Sequence, residues 1–88
     1  MFRLWGKIIK ENRLIKDFVV EDVSSDTRTR KVFHAIDELC LKFDISHPIW
    51  FDSNIEDFKR FNKVRFTSDN FIDSNSFDYF EIQIIEED

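Results

Sequence analysis

Arg28, Arg30, Lys31 and His34 stand within seven residues of one another. If this segment opens a helix, the free N–H groups of its first turn and three cations can hold a phosphate, a carboxylate or an acidic partner. The plainer account is a solvated helix start whose bases pair with Glu21, Asp22 or Asp26, because single surface charges contribute little. His34 and His47 are the two histidines of the chain. His34 lies at helical spacing from Asp37 and Glu38, which can orient an imidazole for proton transfer. No nucleophile elbow, HExxH pattern or EF-hand loop accompanies either histidine, and a chain with one glycine has no phosphate-cradling loop. Cys40 is the single cysteine, so an intramolecular disulfide and a cysteine zinc cage are both excluded. The carboxylate group Asp52, Glu56 and Asp57 reads as complementing a helix dipole, and Asp69 with Asp73 as turn chemistry, in preference to an acid/base pair. The expectation is a protein with no catalytic residue, no cofactor and no metal.

Two tryptophans offer a different chemistry, that of binding. Trp50 sits in the dense run His47-Pro48-Ile49-Trp50-Phe51. In so short a chain it reads first as core, and if exposed as the leading anchor for a protein partner. Trp5 is the second such candidate. Its neighbours Ile9, Ile15 and Val19 would make a mixed outer sheet face, suited to a covering layer or a contact between two copies.

The elements that must position these residues follow from periodicity. Residues 2–9 and 14–21 read as a β-hairpin around Glu11-Asn12-Arg13. A three-residue loop opposes Lys7 to Asp17, Arg3 to Glu21 and Trp5 to Val19, whereas a two-residue loop opposes Lys7 to Lys16. Phe2, Leu4, Ile8, Phe18 and Val20 then point at the core. A rival reading makes residues 1–10 a basic amphipathic helix on a membrane surface, but Asn12 and Lys16 break its apolar side further on. Val32, Phe33, Ile36, Leu39, Cys40 and Phe43 recur at three- and four-residue spacing and predict a helix over 26–43, capped by Ser25 or Asp26. Ile49-Trp50-Phe51 is a brief strand or a loop plug. Ser53-Asn54-Ile55-Glu56 has a capping-box pattern and starts a short helix to Phe61, with Ile55, Phe58 and Phe61 inward. Lys63 to Thr67 is a candidate strand. Residues 77–86 alternate, with Phe80, Ile82 and Ile84 on one side. The order β-β-α-(β)-α-β-β gives an α+β domain: a small antiparallel sheet of the N-terminal hairpin and the C-terminal strands, covered on one face by a long and a short helix.

The 88 residues allow one domain, 1–88, and 42% apolar against 35% charged residues excludes intrinsic disorder. Eleven phenylalanines supply a core, since each removes roughly 150–250 Å² from water. The net charge of -5 hides an asymmetry: residues 1–20 carry five bases and two acids, and residues 66–88 carry seven acids and no base. Such an acidic segment repels phosphate and disfavours nucleic acid. Either the two ends lie side by side and neutralise each other, or the acidic face meets a basic partner. No stretch is long and apolar enough to span a bilayer, and residues 1–10 lack an apolar signal core, so membrane attachment is disfavoured and the protein reads as cytoplasmic.

The run Phe43-Asp44-Ile45-Ser46-His47-Pro48-Ile49-Trp50-Phe51, followed by Asn54-Ile55-Glu56-Asp57-Phe58-Lys59, resembles small bacterial proteins of unknown function. Trp5-Gly6-Lys7-Ile8-Ile9, Phe77-Asp78-Tyr79 and Ile82-Gln83 fit the same resemblance, which implies no activity and no site residue. The functional expectation is a non-enzymatic interaction or oligomerisation module, binding a protein partner or a second copy through Trp5 and Trp50. The alternatives are an acidic neutraliser of a basic nucleic-acid-binding protein, acting through Glu86, Glu87 and Asp88, and a small anion-binding domain built on Arg28, Arg30, Lys31 and His34. Whether a small molecule binds is not legible from sequence.

Overall fold

Alternation of apolar and polar residues at both ends of the chain builds the central strand pair. The structure, a computed structural model, describes residues 1–87. β1 (Phe2–Lys10) and β2 (Arg13–Asp22) form the hairpin, followed by α1 (Arg28–Phe43), α2 (Asp52–Phe61), β3 (Lys63–Thr67), a short 3-10 turn (Ser68–Asn70) and β4 (Tyr79–Glu86). The four strands make one antiparallel sheet in the order β2-β1-β4-β3, so the fold is α+β and the first and last strands are neighbours.

Hairpin register matches the charge argument, but by a different route. Lys7 faces Asp17, Arg3 faces Glu21 and Trp5 faces Val19. The turn has two residues, not three: Lys10 pairs with Arg13, and Glu11 and Asn12 both take positive φ, 53° and 62°. Two positive-φ residues match the right-handed twist of the flanking strands. A bulge then inserts Ile15, so that Ile9 faces Leu14 while Ile8 faces Lys16, and the Lys7–Lys16 clash is avoided. The Glu11 N–H donates to Asp78 Oδ2 at 2.7 Å, tying the turn to the segment before β4.

Phe2, Leu4, Ile8 and Val20 from the hairpin, with Phe80, Ile82 and Ile84 from β4, are buried on the helix side of the sheet. Val32, Ala35, Ile36, Leu39, Cys40 and Phe43 of α1 pack onto them. Gly6 permits this approach: a Cβ there would stand 2.6 Å from Leu39 Cδ1. α1 begins later than its periodicity suggests, because Thr27 and neither Ser25 nor Asp26 is the N-cap; its hydroxyl accepts from the Arg30 N–H at 3.3 Å. α1 ends at Asp44, which takes the left-handed conformation at φ 57°.

The capping-box reading of α2 is also corrected. Phe51 is the N-cap, and its N–H donates to the side chain of Asn54 at 2.9 Å, so Asn54 and not Glu56 closes the first turn. Of the three residues expected inward, Phe58 is buried, while Ile55 and Phe61 are exposed. Residues 49–51 form no strand; they are the loop plug.

Candidate functional site

Pro48 removes one backbone donor and holds the chain extended, so the run after it crosses between the two helices. Two buried asparagines fix its path. Asn70 Nδ2 donates to the Ile49 carbonyl at 2.7 Å and to Asn54 Oδ1 at 2.8 Å. The Ile49 N–H donates to the Asn70 carbonyl at 2.6 Å, and Asn70 Oδ1 accepts from the Thr67 N–H at 3.0 Å. One amide pair thus ties together the plug, the start of α2 and the end of β3. Neither residue stands out in the sequence: Asn54 reads as part of a helix start and Asn70 as part of a polar loop, and only burial gives them this role.

The plug sets Trp50 on its edge against three rings. Its ring centre lies 4.9 Å from Phe66, 5.6 Å from Phe58 and 6.1 Å from Phe33, each contact edge-to-face. Above Trp50 a cleft of about 290 Å³ opens between α1 and α2. Val32, Trp50 and Phe58 form its floor, Phe33 and Ile55 its walls, and Arg28, Thr29 and Lys59 its rim. Phe33 is 48% exposed, Ile55 39%, and Ile49 and Phe51 beside Trp50 43% and 42%. Phe33 and Ile55 therefore border a cleft that no part of the described chain fills, while Ile49 and Phe51 are exposed outside its lining.

Helical spacing places Phe33 in the core, and the structure does not. It lies two helical turns before Cys40 on the same edge of α1. At Cys40 that edge is roofed by the connector, with Sγ 3.7 Å from the Ser46 carbonyl. At Phe33 the connector supplies only the edge of Trp50, and the ring stays 48% exposed. Burial, with a smaller contribution from Asp37, pushes the Cys40 thiol up to about 11, and the side chain packs as an apolar group in the core.

The four cationic candidates do not form one site, although Arg30 and His34 share a partner. Arg28 Nε lies 2.7 Å from Glu87 Oε1, and its guanidinium also donates to Asn62 Oδ1 at 2.7 Å. Arg30 and His34 both approach Asp26 at 3.9 Å. Lys31 is buried, its ammonium 5.8 Å from the centre of the Phe2 ring, and not on the outward side that its spacing suggests. Asp37 pairs with His47 at 2.7 Å and not with His34; both groups are exposed. No group of three or more metal-ligating side chains comes together among the described residues.

Trp5 lies on the opposite face of the sheet from the packed helix residues, and among the described residues no helix packs there. Its indole N–H donates to Asp17 Oδ2 at 2.9 Å, and Lys7 Nζ sits 3.8 Å from its ring centre. Lys7 reaches Glu81 at 2.7 Å, and Arg65 Nε reaches the same carboxylate at 2.9 Å. Asp17, Lys7, Glu81 and Arg65 thus cross all four strands as a row of alternating charge. Burial pushes the Glu81 carboxyl up, but the bonds from Lys7 and Arg65 outweigh it and hold it below its ordinary value.

The chain ends neutralise each other along the β1–β4 seam. Glu86 meets the Met1 amino group at 3.4 Å and Arg3 at 3.7 Å. Glu86 and Glu87 are both engaged within the chain, while Asp88 lies outside the described residues. Among the described residues no helix is long and apolar enough to cross a membrane.

Comparison with protein-family models, with curated proteins and with solved structures finds no match. The bacterial resemblance of the 43–59 run therefore adds nothing to these side chains, and their function is read from geometry.

Proposed function

We propose that this chain is a non-enzymatic protein-interaction module whose docking site is the cleft between α1 and α2. The observation that carries the reading is the pair of exposed apolar side chains, Phe33 of α1 and Ile55 of α2, that line the cleft with Trp50. Exposed apolar area concentrated around one concavity marks recognition surfaces on small proteins. A rigid, centrally placed tryptophan in a partly desolvated pocket is the side chain type that dominates interface energetics. Trp50 is therefore the better anchor of the two tryptophans. Trp5 already has a hydrogen-bond partner and a cation on its ring.

The test places a photocrosslinking residue at position 33 and, separately, at position 19 on the open sheet face. Covalent capture of one protein from position 33, abolished by Ile55→Asp and reproduced with that protein purified, is expected. Equal capture from position 19, or capture indifferent to Ile55→Asp, would overturn the reading.

A further inference from the structure

The cleft also has a charge signature, and the selectivity it implies rests on the cleft being a docking groove. Among the described residues, Arg28 and Lys59 are the only charged ones on its lining, and both are basic. Arg28 already grips a carboxylate, that of Glu87, at 2.7 Å. The two side chains are 43% and 37% exposed, so water reaches the pair and a competing carboxylate can displace it. Lys59 makes no ion pair among the described residues. Size narrows the occupant further. A volume of about 290 Å³ falls at the lower end of small-molecule sites, roughly 300–1,000 Å³, and suits one or two apolar side chains projecting from a larger partner.

We propose that the groove takes an apolar peptide segment of a partner protein flanked by Asp or Glu, and that Glu87 occupies Arg28 until a carboxylate of that partner replaces it. The intramolecular pair is a sample of the chemistry the rim selects. The apolar floor supplies the drive for association, and the two cations fix which flank faces α1 and which faces α2.

The experiment selects a random 12-residue phage-displayed peptide library against the whole protein, in parallel with Phe33→Asp, with circular dichroism used to confirm that this variant keeps the fold. Expected is enrichment, absent with Phe33→Asp, of peptides that join large apolar residues to Asp or Glu. Lys59→Glu should abolish the acidic preference. Glu87→Gln should tighten the enriched acidic peptides by up to about fivefold, the limit for an exposed ion pair, without changing neutral ones. Enrichment of basic or uncharged apolar peptides in a Phe33-dependent way would overturn the acidic partner and leave the groove. No enrichment over Phe33→Asp, or self-association of the wild-type protein blocked by Phe33→Asp, would overturn the acidic partner as well, the first outcome removing the groove reading and the second assigning it to a second copy.

Discussion

The two faces of this sheet solve the same problem by opposite means. Each strand of an antiparallel sheet offers two rows of side chains, and both rows must be reconciled with their surroundings. On the helix side the rows are Phe, Leu, Ile and Val, and two helices take them out of water. On the other side no helix among the described residues covers the sheet, and the rows interlock instead. Asp17, Lys7, Glu81 and Arg65 alternate in sign across four strands, and Trp5 lies under an ammonium. Glu81 ends up 5% exposed although no layer lies above it, because its neighbours' long side chains close over it. An open sheet face is thus kept from being sticky by charge ordering. The cleft over Trp50 is a concave place on the helix side where apolar surface is left unreconciled.

This contrast predicts unequal responses to mutation. Phe80→Ala, in the fully buried row, should lower stability by about 3–5 kcal/mol, measured by denaturant unfolding. Asn70→Ala removes the amide that holds the plug and leaves the Ile49 carbonyl and Thr67 N–H without partners; a loss of about 3 kcal/mol with a shift in Trp50 fluorescence is expected. Glu81→Gln on the open face should cost about 2 kcal/mol, and it should also change the pH profile. The Glu81 carboxyl sits below its ordinary value of 4.5 when folded. Its contribution is therefore fully present above that value and is lost as pH falls through the lower folded one, so the acid-side decline of the wild type should flatten in Glu81→Gln. Asp17→Ala should change stability by less than about 1 kcal/mol, although Trp5 loses its acceptor. A loss from Asp17→Ala equal to that from Phe80→Ala would break the comparison between the faces.

The sheet, its hairpin register and the long helix are legible in the sequence because period and cross-strand charge both point the same way. Lys7 opposite Asp17 and Arg3 opposite Glu21 are decided by Coulomb sign alone, even though nothing in the sequence announces the bulge at Ile15 that delivers them. The cleft is half legible. Trp50 stands out by type, but Phe33 and Ile55 follow the helical stripe as well as any core residue does. Whether a stripe residue is covered depends on where the 44–51 connector runs, and that path is set by Asn54 and Asn70, sixteen residues apart. The cationic group at the start of α1 misleads for a related reason. Adjacent positions on a helix point in different directions, so Arg28, Arg30 and Lys31 go to the groove rim, to Asp26 and into the interior.

Pairing β1 with β4 has a kinetic consequence. Ile9 and Tyr79 are joined across 70 positions of chain, so the centre of the sheet cannot close during synthesis until β4 has cleared the ribosome. Until then the nascent hairpin holds Phe2, Leu4 and Ile8 without the strand that flanks them, and chaperones that bind short apolar stretches have that interval in which to act.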